Sequence, residues 1–217
     1  MAQSLGCGGG LNIRFGGYLD DVQTEKAFCV GDVQTARSIA RAHPFATIVT
    51  ADLRATHMPC LVDEDAEGLV ILGHVARLDP AYDALDRSVL LIFHGPHGYV
   101  SASWYERDTI PTWNYVTLHV RGTPDLLDDA MPVLQQTVDR FESAVEHPWS
   151  LQRMGKTARE MADKVVAFRL RAESWHAEAK LSQDKPEDER GRVLAGLEAP
   201  GPYSNPPLAA AMRGLGA

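Results

Sequence analysis

A histidine and an arginine three places apart interrupt an otherwise apolar run, LVILGHVARLDP, at Leu69–Pro80. If this run is extended, His74 shares a face with Val70, Leu72 and Ala76. An imidazole on such a face has two uses. It is either a core residue satisfied by a backbone carbonyl or a ligand to a bound group. Arg77 stands where the run ends, and its fork of donors suits a phosphate or carboxylate; the alternative is a surface ion pair with Asp79 or Asp83. His57, in ATHMP, shares a face with Pro59 and Leu61 and is a second candidate by the same logic. A second donor cluster lies in AKLSQDKP, where Lys180, Ser182, Gln183 and Lys185 gather at a strand end. It could meet a phosphate or a propionate, or simply lead into a helix capped by Asp184. His119 aligns with Trp113, Tyr115, Thr117 and Arg121. HGPHGY reads as a turn that carries His94 and His97, and His43, His147 and His176 read as helix-end, loop or strand-edge residues.

Other standard chemistries lack their patterns. There is no HExxH, no GxGxxG after a strand and no GxSxG. The three cysteines, Cys7, Cys29 and Cys60, are odd in number and form no CxxC. That argues against a disulfide framework or thiolate zinc site and fits a cytoplasmic location. A formal net charge of −8 argues against non-specific nucleic-acid binding. No run approaches the length of a membrane span, and MAQSLGCGGGLNIRFGG does not read as a signal peptide.

The elements that must position these residues follow from periodicity. A helix is expected from Asp32 to about Pro44. Strand-like segments follow at 45–51, 56–63, 68–76, 88–95, 98–105 and 113–122, each bounded by turn chemistry. DDAMPVLQQTVDRFESAVE, residues 128–146, predicts an amphipathic helix with Met131, Leu134, Val138, Phe141 and Val145 near one face. A short helix at 157–164, one long or bent strand over VVAFRLRAESWHAEAKL, a helix from Pro186 and a last weak helix complete the chain. The expected fold is mainly β, an antiparallel barrel with added helices. Residues 1–30 read as an N-terminal extension, 31–185 as the cofactor-binding domain and 186–217 as a helical tail.

HPFATIVT, ATHMP, GHVARLDP, FHGPHGYVSASWY, IPTWNY and AKLSQDKP resemble, in order, the motifs of PaiB-type proteins, known as FMN-binding negative transcriptional regulators. The likeness covers roughly residues 40–197. It implies an FMN-binding split β-barrel, usually a homodimer with cofactor sites at the subunit interface. In that fold the third strand and its following turn often bind the flavin phosphate, which gives weight to His74 and Arg77 as cofactor contacts. Piperazate synthases look like PaiB proteins but hold haem b through a histidine. They convert N5-hydroxy-L-ornithine to L-piperazate with loss of water. On that resemblance His74 is the expected axial ligand, with Arg77 or Lys180 at the propionates. His57, Ser182 and Gln183 complete the expected cofactor contacts. The expectation leans to this haem-dependent cyclase, with a small amino-acid substrate; the alternative is an FMN-binding regulator or flavin-binding module.

Overall fold

The computed structural model describes residues 28, 29 and 31–214. Most of the expected N-terminal extension, Cys7 included, lies outside the described residues. The elements are α1 (Val33–Ala42), β1 (Phe45–Val49), β2 (Ala55–Val62), β3 (Val70–Ala76), β4 (Val89–Val100), β5 (Thr112–Gly122), β6 (Asp125–Leu127), α2 (Met131–Glu142), α3 (Lys156–Ala162), β7 (Val165–Arg171), β8 (Ser174–Lys180), α4 (Glu187–Glu198) and α5 (Pro206–Gly214). The strands hydrogen-bond in the order β6-β7-β3-β2-β1-β4-β5-β8. No helix among the described residues is long and apolar enough to cross a membrane.

Two compact units divide the chain. The first comprises Val33–Phe93 and His119–Trp175. Its sheet is antiparallel at every pairing of β1 with β2 and β4, β2 with β3, and β7 with β3 and β6. One face of β3 carries Ile71, Gly73 and Val75, all buried. Gly73 sits opposite Phe168 of β7, and a Cβ there would lie 2.5 Å from the Phe168 ring. Glycine is needed at this point for close approach of an aromatic ring. Leu61, Leu72 and Ala167 form the other face and pack under Ala130, at the N-cap of α2, and Val133 within it. Both faces of β3 are thus buried at its start, which explains its unbroken apolar run.

Buried Arg37 of α1 ties down the β2–β3 connection. Its guanidinium donates to the carbonyls of Ala66 (3.1 Å), Gly68 (2.7 Å) and Asp63 (3.2 Å) and to the Glu64 carboxylate (2.8 Å). Gly68 there has a φ of 77°, which a side chain would resist.

The second unit comprises, of the described residues, 28, 29, 31, 32, 94–118 and 176–214. Leu181, Val193, Leu197, Leu208, Ala209 and Met212 supply much of its core. Gly196 of α4 lies against the Trp104 ring at 2.4 Å from an added Cβ, so the helix and the aromatic are in intimate contact.

Four sequence expectations are corrected. HGPHGY is not a turn; it lies within β4, which runs unbroken where two strands are expected. Its glycines serve close packing instead, Gly95 against Val116 and Gly98 against Asn205. The segment 165–181 is two strands, β7 and β8, broken at 172–173. In α2 the deeply buried residue is Val133, whereas Phe141 and Val145 are 45% and 49% exposed. The later members of the expected stripe do not join the cluster on Leu61, Leu72 and Ala167, and Val145 lies beyond the helix, which ends at Glu142. Finally, Asp184 does not cap α4: Pro186 occupies the N-cap position without a side-chain bond, and Asp184 pairs with Lys185 at 2.8 Å.

Candidate cofactor site

The site begins where the helix cover of β3 ends. Leu72 lies in the cluster beneath α2, but two residues on His74 is only half-buried, and Ala76 is exposed. His74 stands opposite Ala167 in the β3–β7 register, so it shares the face of Leu72 and Ala167 rather than that of Gly73 and Phe168. Its Nδ1 is buried and has no hydrogen-bond partner among the described residues. Burial also lowers the His74 pKa, which favours the neutral imidazole.

Alternation carries the same face across β2 and β1. Leu61 pairs with Leu72, so Pro59 and His57 lie on this side too. Phe45 pairs with Pro59, and Thr47 pairs with both His57 and Ile92. Phe45 is 63% exposed and stacks on His57, with ring centroids 6.1 Å apart and planes 30° apart. His57 itself is exposed. The result is a ledge of two imidazoles, an open phenyl ring, Pro59, Thr47 and Ile92, with apolar surface left in view. The period-two pattern of FATIV and THMP marks Phe45 and Thr47 as facing His57, once their strands are known to pair.

Arg77 follows on the turn after β3. It pairs with neither Asp79 nor Asp83. Its Nε donates to the Asp163 carbonyl (3.0 Å), its Nη1 to the Tyr82 hydroxyl (3.2 Å), and its guanidinium lies 5.8 Å from the Tyr82 ring centre. Asp79 instead accepts from Thr56 (2.6 Å) and from the Ala81 amide (2.8 Å). The first unit thus gathers His74, His57 and Arg77 on β2, β3 and the turn beyond.

Lys180, Ser182 and Gln183 belong to the second unit, where their polar atoms are engaged locally. Lys180 donates to Thr112 Oγ1 at 2.8 Å. Gln183 loops back, accepting from the Leu181 amide (2.6 Å) and donating to the Ala179 carbonyl (2.5 Å). Ser182 is buried with a φ of 61° and accepts from Asn114 Nδ2 at 2.9 Å. Nearby, Tyr115 donates to Glu178 at 2.5 Å, and its pKa is pushed up to about 12 by burial and by that carboxylate.

A partnerless, half-buried, neutral imidazole beside an open apolar ledge suits a planar prosthetic group. The family model described as "Putative FMN-binding domain" matches residues 23–174. The chain belongs to the PaiB-type FMN-binding split-barrel family. It is 29% identical over 181 residues to "Protease synthase and sporulation protein PAI 2" of Bacillus subtilis (strain 168), covering 80% of this chain and 87% of that protein. Among solved structures it resembles the flavocytochrome Anf3 from Azotobacter vinelandii (TM-score 0.53, 15% identity, 76% of this chain and 75% of that one). It also resembles the FAD and haem binding protein from Mycobacterium smegmatis (TM-score 0.50, 16% identity, 77% and 80%). Both structures bear out the fold: mainly antiparallel β with added helices, of split-barrel type.

Proposed function

We propose that this PaiB-like chain holds haem b on the β1–β3 ledge, with His74 as the axial ligand, and serves as a dehydrative N–N-forming cyclase. The observation that carries this reading is the His74 ring, whose buried nitrogen has no hydrogen-bond partner among the described residues. A core histidine would be expected to find one. A neutral imidazole is also the protonation state that iron ligation requires. The ledge residues Phe45, Pro59 and Ile92 would exclude water from one face of the macrocycle. Arg77 keeps guanidinium donors in hand for a propionate, beyond its bonds to Asp163 and Tyr82. Bound haem would supply Lewis-acid activation of a hydroxylamine N–O bond. The overall conversion of N5-hydroxy-L-ornithine to L-piperazate forms one N–N bond, breaks one N–O bond and releases water, so it is redox-neutral.

The exposed Phe45 ring and its neighbours also suit burial against a second copy of the chain, which makes the homodimer part of this proposal. Sedimentation of the wild type should give a dimer and Phe45→Glu a shift toward monomer; a monomeric wild type removes that part.

The test of the cofactor is the absorption spectrum of the purified protein. A Soret band that disappears in His74→Ala supports the proposal. A Soret band that survives in that variant moves the ligand elsewhere, with His57 next. Twin flavin bands favour the second reading, an FMN-binding regulator or flavin module, for which the family match speaks. Incubation of holoprotein with N5-hydroxy-L-ornithine should yield a product lighter by one water; its absence removes the cyclase.

A further inference from the structure

A cavity in the first unit, between the end of α1, β2 and α2, shares no lining residue with the His74 ledge. Its volume is about 280 Å³. That falls just under the ~300 Å³ at which small-molecule sites commonly begin, so its occupant must be small. The floor is apolar: Pro44, Cys60, Leu61 and Val62. Cys60 is buried, and burial pushes its thiol up to about 12, so it contributes a neutral surface and no nucleophile.

The mouth is charged, and its four ionic groups are not equivalent. Glu64 is saturated. It receives Arg41 through two bonds of 2.6 Å and Arg37 through one of 2.8 Å. Arg41 is thereby spent as well. Asp139 and Arg140, adjacent on α2, have no ion-pair partner among the described residues. Asp139 accepts only a neutral amide, Gln135 Nε2, at 2.7 Å. Arg140 makes one long side-chain bond, from Nη2 to the Arg41 carbonyl at 3.5 Å, and lines the cavity. An uncompensated carboxylate and an uncompensated guanidinium therefore flank an apolar pocket.

We propose that this cavity binds a free α-amino acid with an apolar side chain, carboxylate on Arg140, ammonium on Asp139 and side chain on the Leu61–Val62 floor. A zwitterion satisfies both charges at once, whereas a simple acid leaves Asp139 beside its carboxylate. The polar side chain of the proposed cyclase substrate does not suit this floor, so the site is separate from the ledge. It does not depend on which cofactor the ledge holds.

Titration calorimetry on the full-length protein tests it with L-leucine and L-phenylalanine, against 4-methylpentanoate, isopentylamine and L-ornithine. One or both apolar amino acids should bind, and the three controls should bind about tenfold more weakly or worse. Arg140→Ala and Asp139→Asn, both at exposed helix positions, should each weaken amino-acid binding by about tenfold. Gln136→Trp, at the mouth, should block it. Equal binding of the simple acid, equal binding of ornithine, unaltered binding in the variants or no binding of either amino acid overturns the proposal. Because the readout is heat rather than product or spectrum, its failure is distinct from failure of the haem reading.

Discussion

His74 on β3 and Asn114 on β5 are both polar residues set into largely apolar strands, and both have a buried atom without a partner among the described residues. Their surroundings differ. Asn114 is fully buried; its amide donates to Ser182 and, at 3.7 Å, to the Met212 sulfur. Ser182, Lys180 and Gln183 are turned toward the chain's own backbone and side chains, so this polar knot fixes the strand end on which α4 and α5 follow. His74 has no such network. Its ring stands at the edge of the α2 cover with an exposed apolar ledge alongside. A polar group inside a network is structural, while a polar group at the margin of a core, kept neutral and unpaired, is held for something else.

That contrast can be broken at four points. The largest effect should come from Phe168→Ala, which empties the side of β3 opposite His74. It should cost about 3–5 kcal/mol in denaturant unfolding. A loss well below that would mean that the Gly73–Phe168 face is not the core. Asn114→Ala should cost about 1–3 kcal/mol, because it strips Ser182 of a buried donor. The cofactor spectrum should not change; if it does, the knot is part of the site after all.

Glu64→Gln tests the electrostatic anchor of the β2–β3 connection. Hydrogen bonds from Arg41, then from Arg37, depress the Glu64 pKa from 4.5 to about 2. The folded value lies below the unfolded one, so the stabilisation is complete above pH 4.5 and is lost as pH falls toward 2. Glu64 is 56% exposed, and screening reduces the effect to about 1 kcal/mol. The variant should flatten the acid limb of the stability profile; an unchanged limb would show that the pairing contributes nothing.

The smallest stability effect should come from His74→Leu. No described residue hydrogen-bonds its buried nitrogen, so the apoprotein should stay within about 1 kcal/mol of wild type. It should lose the cofactor band entirely. Burial lowers the His74 pKa, so the wild type should lose stability as pH falls from about 6.5 through the folded value, while the leucine variant lacks that slope. A leucine variant destabilised like Asn114→Ala would make His74 a structural residue.

Much of the fold could be read from the chain. FATIV, THMP and LVILG announce β1, β2 and β3 through β-branched content and turn boundaries, and the helices after Asp32 and Pro186 follow from local signals. The order of the family motifs identifies the split barrel. Misread elements share one cause: local patterns do not say what lies across the chain. HGPH looks like a turn until Gly95 and Gly98 are seen against Val116 and Asn205. The α2 stripe continues to Phe141, but burial does not: Val133 is buried and Phe141 is exposed.

The site divides in the same way. Residue types and period-two spacing by themselves put His74 and His57 on one kind of face, set Arg77 beyond the strand, and left core histidine and ligand as equal alternatives. Only pairing of distant strands could bring Phe45 beside His57, end the α2 cover at Leu72, and turn Lys180, Ser182 and Gln183 toward partners near Thr112 and Asn114. A side chain's partners are set by which strands meet, and that is fixed by burial summed over the whole chain rather than by the few residues around it.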